Sequence, residues 1–157
     1  MTEDTAAATA VPGESATQGA VRDGSPSGRD TADYVQVKMP AESAYLSVLR
    51  TAAAGLAARL DFTLDEIEDL RIAIDEACAM LLSQAIPGTD LECGFELGAD
   101  QVTITVSVTA AQARMPARDT FAWTVLSALA GSVDSRLEPD DRVSIVLQKR
   151  RGVSGSG

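Results

Sequence analysis

Between Thr63 and Leu82, apolar side chains recur every three or four residues, at Ile67, Leu70, Ile74, Ala77, Cys78 and Leu81. Asp65, Asp69, Ile72 and Glu76 climb a second face at the same spacing. The pattern predicts one amphipathic helix with a core-facing stripe beside an acidic one. Thr63 and Glu66 have the form of a capping box, in which each side chain satisfies an orphan backbone N–H of the first turn. Glu76 falls where the acidic face meets Ala79 and Met80.

A period of two marks the strands. Tyr34 to Met39 (YVQVKM) alternates large apolar with polar residues and stops at Pro40, predicting a half-buried first strand. Asp90 to Leu97 and Gln101 to Thr109, joined by Gly98-Ala99-Asp100, predict a hairpin with one face on the core. Ala41 to Leu60 carries Tyr45, Val48, Leu49, Ala52, Leu56 and Leu60 at helical spacing. Arg50 lies near the edge of that stripe, either as a surface arginine lying along the helix or as a contact for an acidic partner group. Arg118 to Ala130 predicts a third helix, with Phe121, Val125, Leu126 and Leu129 along one side. Trp123 falls off that stripe and reads as a partly buried cap on the core rather than a binding anchor. Ser132 to Leu137, the turn Glu138-Pro139-Asp140-Asp141, and Arg142 to Gln148 form a last hairpin. This order predicts an α+β fold, a two-layer sandwich of a mostly antiparallel sheet with helices on one face.

Composition sets the domain limits. In 157 residues there is room for one domain, read as 34–149, plus tails. Residues 1–33 are Ala, Thr, Ser, Gly, Pro and Asp with hardly a large apolar side chain, which predicts a disordered tail. Residues 150–157 read as a flexible basic and Gly/Ser terminus, with Lys149-Arg150-Arg151 serving solubility. The net charge of −10 argues against a nucleic-acid surface and makes a basic protein surface the expected partner class. No stretch approaches the roughly 20 apolar residues of a membrane span, and the expectation is a cytoplasmic protein. The chain has no His, so the usual triad base is missing, and catalysis would rest on carboxylates or a bound metal. Cys78 and Cys93, without His or CxxC spacing, read as buried hydrophobes rather than zinc ligands.

Leu60-Asp61-Phe62-Thr63-Leu64-Asp65-Glu66, followed by Asp75-Glu76-Ala77-Cys78, resembles the N-box helix of the GHKL ATPases. Within that family the resemblance is to the anti-sigma factor serine kinases of bacterial partner-switching systems, over about Tyr34 to Lys149. It implies a histidine-kinase-like ATPase fold. It places Glu76 at the catalytic glutamate that would act as base toward a substrate serine. The family's Mg²⁺-binding asparagine is replaced by Met80, a soft thioether that suits a hard cation poorly. The adenine-binding Asp-x-Gly is missing from Val108-Thr109-Ala110-Ala111, and Gln112 to Thr120 has no lid glycine. The resemblance therefore implies a vestigial nucleotide site with no cofactor expected, and Mg-ATP only in an active kinase. It also implies a retained partner face on the first helix, with Arg50 at the family's sigma-contacting arginine and Tyr45 and Leu49 beside it. The expected function is sequestration of an alternative sigma factor, released by an anti-anti-sigma factor, by a homodimer. The alternatives are an active serine kinase of the anti-anti-sigma factor, or a regulatory binding domain on a retired ATPase scaffold.

Overall fold

In a computed structural model, the structure describes residues 33–152; the expected 1–33 tail, apart from its last residue, and residues 153–157 lie outside it. Five strands form one antiparallel sheet in the order β1-β2-β3-β5-β4: β1 (Asp33–Pro40), β2 (Asp90–Leu97), β3 (Gln101–Thr109), β4 (Ser132–Glu138) and β5 (Arg142–Arg150). Three helices, α1 (Leu46–Arg59), α2 (Leu64–Leu82) and α3 (Phe121–Leu129), cover one face, and a 3-10 turn at Ser43–Tyr45 leads into α1. This is the predicted two-layer α+β sandwich.

The period of two decides which face each strand residue takes. In the β2–β3 hairpin Phe95 stands opposite Ile104 and Cys93 opposite Val106, and all four are buried under the helices. Val143, Ile145 and Leu147 of β5 extend the same buried layer. The other face carries Thr103, Thr105, Ser107 and Gln148 in the middle strands. There the Ser107 and Ser144 hydroxyls share a buried hydrogen bond of 2.7 Å, and Arg142 spans β3 to reach Glu92 at 3.1 Å.

Three expectations are corrected. The buried stripe of α1 is Leu46, Leu49, Ala53 and Ala57; of the expected run, Leu49 is fully buried, Ala52, Leu56 and Leu60 are half-buried against the core, and Tyr45 and Val48 are exposed. Among the described residues β1 is an edge strand, and alanines supply half of the buried face of α1. β1 buries only Met39 fully, and Tyr34 stays 63% exposed. In α3 the Thr120 hydroxyl accepts the Trp123 N–H at 3.1 Å, which starts the helix at Phe121 rather than Arg118. Phe121 projects from that first turn at 82% exposure, whereas Trp123 is 7% exposed and caps the core. The basic end of β5 is not a free terminus. Lys149 donates to the Leu129 carbonyl closing α3 at 2.9 Å, and Arg151 donates to the Leu60 carbonyl closing α1 at 2.9 Å. Arg150 pairs with Asp100 at 3.1 Å.

Candidate functional site

α2 positions the site, and its start is fixed as the sequence predicts. Thr63 Oγ1 accepts the Glu66 N–H at 3.1 Å, and Glu66 Oε1 accepts the Thr63 N–H at 2.8 Å. The second Glu66 oxygen accepts the Gly152 N–H at 2.7 Å, tying the end of the described chain to this cap. These bonds to the ionised form, led by the Thr63 N–H, hold the Glu66 carboxyl below the usual glutamate value. The core stripe of α2 then buries Leu70, Ala73, Ile74, Ala77, Cys78 and Leu81. Burial pushes the Cys78 thiol up to about 12, with Asp75 adding to it, so it stays protonated and unreactive. Cys93 is shifted upward for the same reason.

Glu76 is half-buried on the outer side of α2 and makes no hydrogen bond or ion pair with any described residue. One turn further on, Met80 lines a cleft of about 340 Å³ between the end of α2, residues 114–117 and the first turn of α3. Its size lies at the low end for small-molecule sites. The polar side chains of Ser83, Gln84 and Thr120 are engaged with the chain itself. The Ser83 hydroxyl donates to the Met80 carbonyl at 2.7 Å. The Gln84 carboxamide is paired at both ends with the Arg114 backbone, at 2.9 Å each. The Thr120 hydroxyl both donates to Ala117 and accepts from Trp123. Among the described residues no three His, Cys, Asp or Glu side chains gather where they could hold a metal. Two thioethers, Met80 and Met115, face this cleft with an arginine, Arg114. Thioether sulfurs and a guanidinium do not fit a hard divalent cation, which takes oxygen ligands.

The three residues expected at a partner face do not form one patch. Leu49 is wholly buried, so its side chain serves the core and offers no contact surface. Arg50 turns toward α2, where Nη1 donates to Asp75 Oδ1 at 2.8 Å, with about a third of its side chain exposed. Val48, two residues away and so on the opposite flank of the helix, is 48% exposed, and Tyr45 beside it 43%. The sequence reading missed the Arg50–Asp75 pair and the Gln84 clamp. Both join residues far apart in the chain, and nothing in local spacing signals them.

No protein-family model matches the chain. The anti-sigma-F factor RsbW of Mycobacterium tuberculosis (strain H37Rv) is 32% identical over 127 residues, covering 76% of this chain and 75% of that protein. The serine-protein kinase RsbW of Bacillus subtilis is 42% identical over 57 residues, which is 36% of either chain. That of Bacillus pumilus is 38% identical over 65 residues, 41% of this chain and 40% of its own. The matches thus span well under half the length of these Bacillus relatives. Among solved structures, the RsbU and RsbW domains of Rv1364c from Mycobacterium tuberculosis align with a TM-score of 0.56 and 13% identity, over 76% of this chain and 32% of that one. At that identity the likeness shows the fold.

Proposed function

The chain belongs to the RsbW family, and from that membership we propose that it is an anti-sigma factor acting by stoichiometric sequestration of a sigma factor in the cytoplasm. The observation that carries this reading is the 32% identity to an anti-sigma-F factor across three quarters of both chains. Capture needs only a surface, and the acidic net charge suits a basic, helical partner face. We place that surface on the outer side of α1 and α2, with Arg50 as its charged contact. Release falls to an anti-anti-sigma factor competing for the same face, and self-association into a homodimer uses α1 and β1. In this reading Glu76 is a vestigial base, because the cleft beside it offers no oxygen set for Mg-ATP.

The kinase names of the Bacillus relatives favour a second reading, in which the chain phosphorylates a serine of the anti-anti-sigma factor with Glu76 as base. Both are tested by mixing the purified full chain with a sigma factor of the sigma-F class and following co-elution by size exclusion, with and without Mg-ATP. Sequestration predicts a stable complex that nucleotide leaves unchanged. Failure to co-elute under either condition sinks it. Transfer of labelled phosphate from ATP to an anti-anti-sigma factor, lost in Glu76→Ala, would bring the kinase reading forward.

A further inference from the structure

The flank of α2 that faces α1 carries an arginine of its own. Arg71 lies one turn before Asp75 on the same side of the helix, and Asp75 accepts Arg50 Nη1 across the seam at 2.8 Å. α1 and α2 are joined by residues 60–63 alone, so they run antiparallel, and both guanidiniums border one seam. A guanidinium has five N–H donors. In Arg71 the Nε–H is shut off from solvent and meets no acceptor among the described residues. Its Nη1 stands 3.7 Å from Glu68 Oε1, beyond hydrogen-bond range. Arg50 is held by a single prong, with Asp75 its one acceptor among the described residues. Apolar side chains lie open beside this pair. Leu64, two turns before Arg71 on the same face, is 84% exposed, and Ile72, next to Arg71, is 38% exposed.

We propose that Arg50 and Arg71 together receive an acidic side chain of the sigma factor, that Asp75 and Glu68 hold the two guanidiniums in place until it arrives, and that Arg71 thereby decides which partner is accepted. This rests on the sequestration reading and adds to it the chemistry of the contact. A buried N–H without an acceptor costs the free chain, and such donors are rare in folded proteins. A carboxylate brought by a partner therefore gains more at Arg71 than at an arginine already satisfied. The fork of a guanidinium matches a carboxylate with two parallel bonds, which an ammonium does not. The surroundings make the contact selective. The chain carries a net charge of −10, and Glu68 and Asp75 stand beside the two arginines, so a broadly acidic partner is repelled. What fits is a single carboxylate set into an otherwise basic or neutral face. Leu64 and Ile72 supply the apolar cover that keeps water from such a pair once a partner lies over it.

Calorimetric titration of the full-length chain with a sigma factor of the sigma-F class, run beside thermal melts, tests the pair. Arg71→Ala is expected to weaken binding by about tenfold or more while the melting temperature holds. Arg71→Lys keeps the charge but not the fork and is expected to recover only part of that loss; it carries the test if Arg71→Ala melts early. Glu68→Gln is expected to act in the opposite direction and tighten binding several-fold, because the guanidinium no longer has to leave a carboxylate. A purely structural ion pair would not separate the two variants in sign. The partner group is found by replacing the sigma factor's Asp and Glu residues one at a time. The one that meets the pair loses affinity against wild type but not against Arg71→Ala. Full affinity in Arg71→Ala, binding in Glu68→Gln no tighter than wild type, or the absence of any acidic residue coupled to Arg71 overturns the proposal while sequestration stands. A wild-type chain that takes up no sigma factor ends both.

Discussion

At Arg50, the charge that a partner would use is already bonded inside the chain. Its Nη1 sits on Asp75, but an arginine has five N–H donors, and about a third of the side chain faces solvent. A partner carboxylate therefore needs to share the guanidinium rather than tear it free. Removing it leaves Asp75 unpaired at a site where 41% of its side chain meets water, so Arg50→Ala is expected to cost no more than about 1 kcal/mol of stability. Sigma-factor affinity should fall by about tenfold or more if the pair is as desolvated in the complex as buried interface pairs are. Calorimetric titration alongside thermal melting separates the two effects. An unchanged affinity would remove Arg50 from the interface. Glu66 offers a second residue-scale prediction. Its carboxyl is held below 4.5, its ordinary value, so the stability it adds is complete above that pH and is lost as pH falls through the lower folded value. The stability gap between wild type and Glu66→Gln should accordingly be constant near neutral pH and shrink in acid; a gap that widens in acid would show that the capping carboxylate is not the source.

Among the elements, legibility followed the size of the apolar side chains. β2 and β3 stand at their predicted bounds because Phe95, Ile104 and Val106 alternate with polar residues, and a one-residue slip would expose them all. α2 was readable for the same reason, with Leu70, Ile74 and Leu81 marking one face. α1 was misread because its true core face is half alanine, Ala53 and Ala57, whose small side chains give a weaker periodic signal than the exposed Tyr45 and Val48. Its end was equally hidden. Asp61 takes φ 62°, while the Phe62 N–H donates to Ala57 and the Asp61 N–H to Ala58. That is a Schellman closure in which aspartate holds the position usually given to glycine. Asp61→Gly is expected to relieve this left-handed strain and raise stability by up to about 1 kcal/mol, read as an upward shift in denaturant midpoint. A lowered midpoint would mean that the aspartate contributes more there than the backbone gains. The cleft lay beyond sequence reading altogether, since it is walled by elements that only the fold brings together.

For the molecule as a whole, the helix layer stops short of one sheet edge, and that asymmetry bears on assembly. Among the described residues β1 ends the sheet with one side unpaired, leaving backbone N–H and C=O groups for which they supply no partner. Val35 on β1 and Tyr45 and Val48 at the start of α1 are 37%, 43% and 48% exposed. Two copies joined here would cover both liabilities at once, which is why we assign the homodimer to this edge rather than to β4. The β4 strand instead carries Asp134 and Ser135, both already bonded to Arg118. A dimer through this edge would leave Arg50, on the opposite flank of α1 from Val48, for a different partner. Val48→Glu puts a charge into the apolar flank without touching the core stripe of Leu46, Leu49, Ala53 and Ala57, so folding should persist while self-association weakens by about tenfold or more. Sedimentation equilibrium across a concentration series measures this directly. A wild-type chain that stays monomeric at the highest concentration would end the assignment, and a Val48→Glu dimer as tight as wild type would move the interface elsewhere.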